Sequence, residues 1–146
     1  MKSEAVFPNI GKVKLPFQTP AVGLNKEQCP IVRENGYGFP QFIFCMEGEG
    51  VLETEGKTFE IQEGGIFFLP EGREHRYHGK GRWVTSWIHL AGDGVKQALE
   101  CLGLVDAVVL NGVDSSRCER ILRQILTELK TDRLHGMERS SSHLYE

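Results

Sequence analysis

Gly64-Gly65-Ile66-Phe67-Phe68-Leu69-Pro70-Glu71-Gly72-Arg73-Glu74-His75 is the stretch that decides how the rest of this chain is read. Two glycines turn the backbone into a short apolar run, Ile66–Leu69, bounded as a buried strand would be. Pro70 removes a backbone donor and ends the strand's hydrogen bonding. Gly72 then reverses the chain, which returns with His75 directed inward. An ordinary strand–turn–strand unit also has this form, so the flanks carry the argument further.

On both sides the same rhythm continues. Candidate strands at Gln41–Met46, Gly50–Thr54, Thr58–Ile61, His75–His78 and Trp83–Leu90 recur every 8–12 residues. Turns fall at Glu47-Gly48-Glu49-Gly50, Glu55-Gly56-Lys57, Glu63-Gly64-Gly65 and Gly79-Lys80-Gly81. Short strands at this spacing predict an antiparallel sandwich or barrel. After Gly94 the period changes. Val95, Ala98, Leu99 and Leu102 fit a helix stopped by Gly103. Cys118, Ile121, Leu122, Ile125, Leu126 and Leu129 form the strongest helical stripe, predicting a helix over 116–133 with Ser116 and Glu119 as a capping box. Before the barrel, residues 1–30 read as an arm rich in Pro and Gly, with one short strand at Lys12–Phe17. Residues 136–146, with Ser140-Ser141-Ser142, read as a polar tail or linker. The expected division is an arm (1–30), a barrel (31–92), a helical segment (93–135) and that tail.

Composition narrows the functional classes. The 146 residues suffice for one domain with its own core. Lys and Arg number 17 against 20 Asp and Glu, a net charge of −3. A surface that binds nucleic acid by itself carries a basic surplus, so these residues are not expected to touch DNA. No apolar run is long enough for a membrane span, and the N-terminus lacks a secretory signal. Cys29, Cys45, Cys101 and Cys118 form no Cys-x-x-Cys pair and read as free thiols of a cytoplasmic protein.

The opening stretch resembles the second motif of the cupins, a Gly, five residues, then Pro-x-Gly-x-x-His. Glu49 and Gly56 keep the tail of the first cupin motif. Its two histidines would fall at or near Ile43 and Cys45, both apolar here. His75 and His78 face opposite sides of a strand, so they cannot chelate together. Three or more converging ligands are therefore missing, and no metal or other cofactor is expected. The fold class expected is mainly β: a cupin-like antiparallel β-barrel (double-stranded β-helix or jelly roll) followed by two C-terminal α-helices.

A finer resemblance covers about Pro30 to Gly94. Glu47-Gly48-Glu49-Gly50-Val51-Leu52, Gly56-Lys57-Thr58-Phe59, the opening stretch through Tyr77, and Trp83 followed by Trp87-Ile88-His89-Leu90-Ala91-Gly92 are similar to the N-terminal effector-sensing domain of the AraC family of bacterial transcription regulators. Leu90 stands where that family usually has Phe. The resemblance implies a small-molecule effector in the barrel, dimerisation through a following helix, and DNA contact only through a helix-turn-helix domain missing from this chain, which reads as a fragment cut near Ser142. Arg33, Tyr77 and Trp87 match positions that contact the sugar in the arabinose-binding member, and Thr85 replaces a pocket histidine.

The residues themselves point the same way. Alternation puts Trp83, Thr85, Trp87 and His89 on one face, and Arg73, His75 and Tyr77 on one face of the neighbouring strand. Indoles, a phenol, imidazoles and a hydroxyl suit a polar guest such as a sugar better than a dry aliphatic core does. The expected ligand-binding set is Arg33, His75, Tyr77, Trp83, Thr85, Trp87 and His89. The expected homodimer contact is the stripe Ile121, Leu122, Ile125, Leu126 and Leu129. No catalytic pair stands out, and the chain is expected not to be an enzyme. A metal-independent sugar isomerase or epimerase, with His75 or His89 as base and Tyr77 as acid, is the alternative.

Overall fold

The computed structural model describes residues 2–11, 14–132 and 134–146. Ten strands and three helices follow in order: β1 (Glu4–Val6), β2 (Val22–Glu27), β3 (Ile31–Arg33), β4 (Gln41–Glu47), β5 (Gly50–Thr54), β6 (Lys57–Ile61), β7 (Ile66–Leu69), β8 (His75–Gly79), β9 (Val84–His89), α1 (Asp93–Cys101), β10 (Val108–Leu110), α2 (Ser116–Thr131) and α3 (Gly136–His143). They build two antiparallel sheets. One has six strands in the order β1-β2-β9-β4-β7-β10, the other four in the order β3-β8-β5-β6.

The two faces of the larger sheet explain its apolar runs. Ile43, Cys45, Phe67 and Leu69 point between the sheets, into a core shared with Leu52, Ile61, Tyr77 and Trp83. Phe44, Phe68, Ile88 and Leu90 point outward, into a second core closed by Leu99 of α1 and Leu122, Ile125 and Leu126 of α2. A sheet covered on both faces needs no polar alternation. The smaller sheet has one face in water, and β8 alternates accordingly: His75 and Tyr77 are buried, Arg76 and His78 exposed.

Helix α1 ends where Gly103 predicts. Gly103 has φ 73°, in the left-handed region. Gly103 N–H donates to Glu100 O at 3.0 Å and Leu104 N–H to Leu99 O at 2.8 Å, the paired bonds of a Schellman stop. Helix α2 begins at Ser116, but not through the expected capping box. Asp114 Oδ1 accepts the Ser116 N–H at 2.9 Å, and Glu119 is drawn to Arg123 one turn on, at 2.6 Å.

Three further expectations change. The segment assigned to an arm contributes β1 and β2, and β2 lies inside the larger sheet between β1 and β9. Of the strand expected at Lys12–Phe17, Lys12 and Val13 lie outside the described residues, and Lys14–Phe17 is not strand. Residues 136–143, read as a polar tail, form α3. Its small residues are what allow it to pack: Ser140 and Ser141 are buried, and a Cβ at Gly136 would sit 2.5 Å from Glu128 O of α2.

Candidate functional site

The space between the sheets is not a uniformly hollow cup. One half is solid. Phe67, Leu69, Ile43, Leu52 and Ile61 fill it, and Trp83, 1% exposed, belongs to them. Its indole N–H donates to Cys45 Sγ at 3.0 Å. Its ring stacks on Phe67 with planes 13° apart and lies over Gly50, where a Cβ would come within 2.5 Å. This corrects the expectation of Trp83 as a ligand wall: it has no free face and no free donor. Thr85 is likewise occupied, its buried hydroxyl donating to Gln28 Oε1 at 2.9 Å. Arg73, placed by alternation beside His75, turns outward instead to Glu55 at 2.8 Å and Asp106 at 3.4 Å.

The other half is polar and aromatic. Arg33, at the end of β3, pairs in register with His75 at the start of β8. Gln41 opens β4 and pairs in register with His89 at the end of β9. These four ends meet. Arg33 Nη1 lies 3.3 Å from His75 Nε2 and 3.5 Å from Gln41 Oε1. The guanidinium sits 4.2 Å from the ring centre of Tyr37, on the loop between β3 and β4, and Tyr37 meets His89 edge-on at 4.8 Å. Trp87 stacks on His89 at 5.0 Å, and Tyr77 on His75 at 5.9 Å. The structure thus brings together Arg33, His75, Tyr77, Trp87 and His89, and adds Tyr37 and Gln41, which the sequence reading did not single out. Gln41 shares inward parity with Ile43 and Cys45, a signal that could have found it. Tyr37 lies on a loop and offered none.

Hydrogen bonding fixes the state of His75. Its Nδ1 is 3.0 Å from Arg73 O, a carbonyl that only accepts, so Nδ1 carries the proton and Nε2 accepts from Arg33. Burial lowers the His75 pKa, Arg33 lowers it further, and the bond to Arg73 O opposes both. Burial and Arg33 bring His89 down to about 4. Burial raises the Tyr77 phenol, which Arg33 partly offsets. At neutral pH both imidazoles and the phenol are therefore uncharged, and Arg33 holds the charge. Two buried atoms in this half have no partner among the described residues: Gln41 Nε2 and His89 Nδ1. Orphaned polar atoms of this kind are uncommon in a folded interior and call for an occupant.

Trp87 is placed by a glycine. Gly23 of β2 faces it in register, and a Cβ there would lie 2.6 Å from two indole carbons. Gly23→Ala is expected to displace the indole and shift its emission spectrum while the Trp83 signal stays unchanged. An unaltered spectrum would place Trp87 differently. Across the exposed side of Trp87 lies Phe7, with ring centres 6.0 Å apart. Arg33, Tyr37 and Trp87 remain half-buried.

The family model described as the AraC-like ligand binding domain matches residues 31–146. This chain belongs to that family. The AraC-like domain is 27% identical over 119 residues to the lactose operon transcription activator of Staphylococcus xylosus, covering 75% of this chain and 43% of that protein. The chain therefore spans less than half the length of that curated relative. Among solved structures, ToxT of Vibrio cholerae, crystallised with (E)-4-(8-methylnaphthalen-1-yl)but-3-enoic acid, superposes with a TM-score of 0.56 at 13% identity, over 90% of this chain and 54% of that one. A cupin superfamily protein of Desulfitobacterium hafniense superposes with a TM-score of 0.44 at 16% identity, over 61% of this chain and 77% of that one.

In this AraC-like domain the stripe expected at a dimer contact is largely consumed within the protomer. Leu122, Ile125 and Leu126 are buried against the larger sheet, with Ile121 and Leu129 half-buried beside them. The larger sheet and α1 also border a groove of about 700 Å³, which includes Phe39, Phe68, Val95 and Leu99. A smaller cavity of about 260 Å³ is lined by Arg33 and His75 together with Glu34, Glu53, Glu55 and Glu74. Among the described residues no helix is long and apolar enough to cross a membrane, and no three His, Cys, Asp or Glu side chains are grouped to hold a metal ion.

Proposed function

We propose that this domain senses a small polar effector, a sugar or related metabolite, in the polar half of the barrel, and reports it to a DNA-binding domain of the same regulator. The observation that carries the reading is the pair of partnerless buried atoms, Gln41 Nε2 and His89 Nδ1, beside the half-buried face of Trp87. A ring stacked on the indole with hydroxyls reaching the amide and imidazole would satisfy both. That a relative is named as the activator of a lactose operon supports a carbohydrate.

The site supports binding rather than turnover. His75 has both nitrogens engaged, by Arg73 O and Arg33. Burial raises the Tyr77 pKa, which makes the phenol a poor acid at neutral pH. A guest on Trp87 would touch Phe7, next to β1, and Glu4 of β1 is ion-paired with Lys130 of α2. This gives the occupied state a physical route to the helical layer, where self-association would use the edges of α2 around Ile121 and Leu129.

A calorimetric and fluorescence screen against sugars tests the proposal. A binding sugar should alter Trp87 emission, and Trp87→Ala should weaken binding at least about tenfold. Trp83→Phe should leave the ligand response intact. Binding unaffected by Trp87→Ala would remove the effector from this site.

A further inference from the structure

We infer that the effector of this domain carries an anionic group, a carboxylate or a phosphate, seated on Arg33. The inference rests on the sensing role proposed above and concerns the chemistry of the guest. Arg33 is half-buried, yet no carboxylate forms an ion pair with it among the described residues; its partners are the Tyr37 ring, His75, the Gln41 carbonyl oxygen and the Tyr77 phenol. Glu34, Glu53, Glu55 and Glu74 line the same small cavity as Arg33, but Glu53 pairs with Arg76 and Glu55 with Arg73, and none of the four pairs with Arg33 among the described residues. A guanidinium partly withdrawn from water whose direct contacts are all neutral lacks the paired counter-charge that such a position normally has.

The hydrogen-bond inventory favours the same guest. Several of the site's acceptors are already engaged by the guanidinium: His75 Nε2 and Gln41 Oε1 face Arg33 Nη1, and the Tyr77 phenol oxygen also receives Arg33. What remains is mostly donors, namely the Gln41 amide N–H groups and the rest of the guanidinium, beside a neutral His89 that offers one donor and one acceptor nitrogen. Gln41 is 2% exposed and His89 8% exposed, so water reaches them poorly. A neutral sugar hydroxyl brings a donor as well as an acceptor to a site where donors predominate. A carboxylate or phosphate oxygen brings only acceptors, and Arg33 can meet it through a charge-assisted, two-pronged contact.

Calorimetry with matched sugars separates the possibilities: galactose, galacturonate and galactose 6-phosphate, with the corresponding glucose series, each titrated into the whole chain. At least one acidic sugar is expected to bind about tenfold or more tightly than its neutral counterpart. Preference for the uronate would identify a carboxylate, and preference for the phosphate ester a phosphoryl group. Arg33→Gln should reduce that ratio to about threefold or less, with an unchanged far-ultraviolet spectrum showing that the variant is folded. Neutral sugars binding as tightly as acidic ones would overturn the inference and leave the sensing role standing. If no sugar of either kind binds, both fall.

Discussion

Replacing Ile125 by alanine is expected to cost about 3 kcal/mol of stability. Ile125 is 1% exposed and lies in the layer between α2 and the outer face of the six-stranded sheet, with Leu122 and Leu126 as neighbours. Removing three carbon atoms there leaves a cavity that a sheet on one side and a helix on the other cannot collapse. Ile121→Ala, at the half-buried edge of the same stripe, should cost about 1 kcal/mol. Urea unfolding measures both. The comparison also separates two roles for the stripe. If it covers the sheet, the unfolding midpoint of Ile125→Ala is independent of protein concentration. If it were a subunit interface, the loss would grow on dilution. A loss below about 1 kcal/mol at Ile125 would contradict the packing described.

Acid should be nearly as damaging, through a single imidazole. The folded His89 titrates at about 4, against an ordinary 6.5. Between those values the unfolded chain takes up a proton that the folded chain refuses, so stability falls as pH falls through this window. The difference amounts to roughly 3 kcal/mol between pH 7 and pH 4. His75 adds to the loss in the same direction. Carboxylates elsewhere also contribute, so the informative quantity is the difference between the native chain and His89→Gln. Their stability curves should converge as the pH is lowered from 7 to 4, the variant having lost the acid-sensitive portion. Parallel curves would mean that His89 is not held neutral by burial.

The barrel's repeating turns were legible in the sequence because each used Gly or Pro chemistry at a strand end. Strands β4 to β9 accordingly fall within a residue or two of expectation. Strand β2 was hidden for a physical reason. Gly23 is there to admit the Trp87 indole, and Asn25 sits at φ 51° where the register with β9 shifts. A glycine and a bulge erase the period of two that marks a strand. Helix α3 was hidden because its small polar residues, suited to close approach against α2, are also those of a linker.

The site was legible by parity but not by depth. Alternation placed Trp83, Trp87 and His89 on one face, and all three do point between the sheets. It could not show that Gly50 makes a slot for Trp83, sealing one indole in the core while the other stays open. Nor could it show Gln41 reaching Arg33, a contact made by two strands from different sheets.

The position of β2 governs when this domain can be born. Residues 22–27 join the larger sheet by pairing with residues 84–88, about sixty positions later. During synthesis β2 can pair with β1, but its other edge must wait until the ribosome has released that distant partner. Any slowing of elongation between the two prolongs the interval in which Val22 and Leu24 are exposed, and so sets how much of the newborn chain is lost to aggregation.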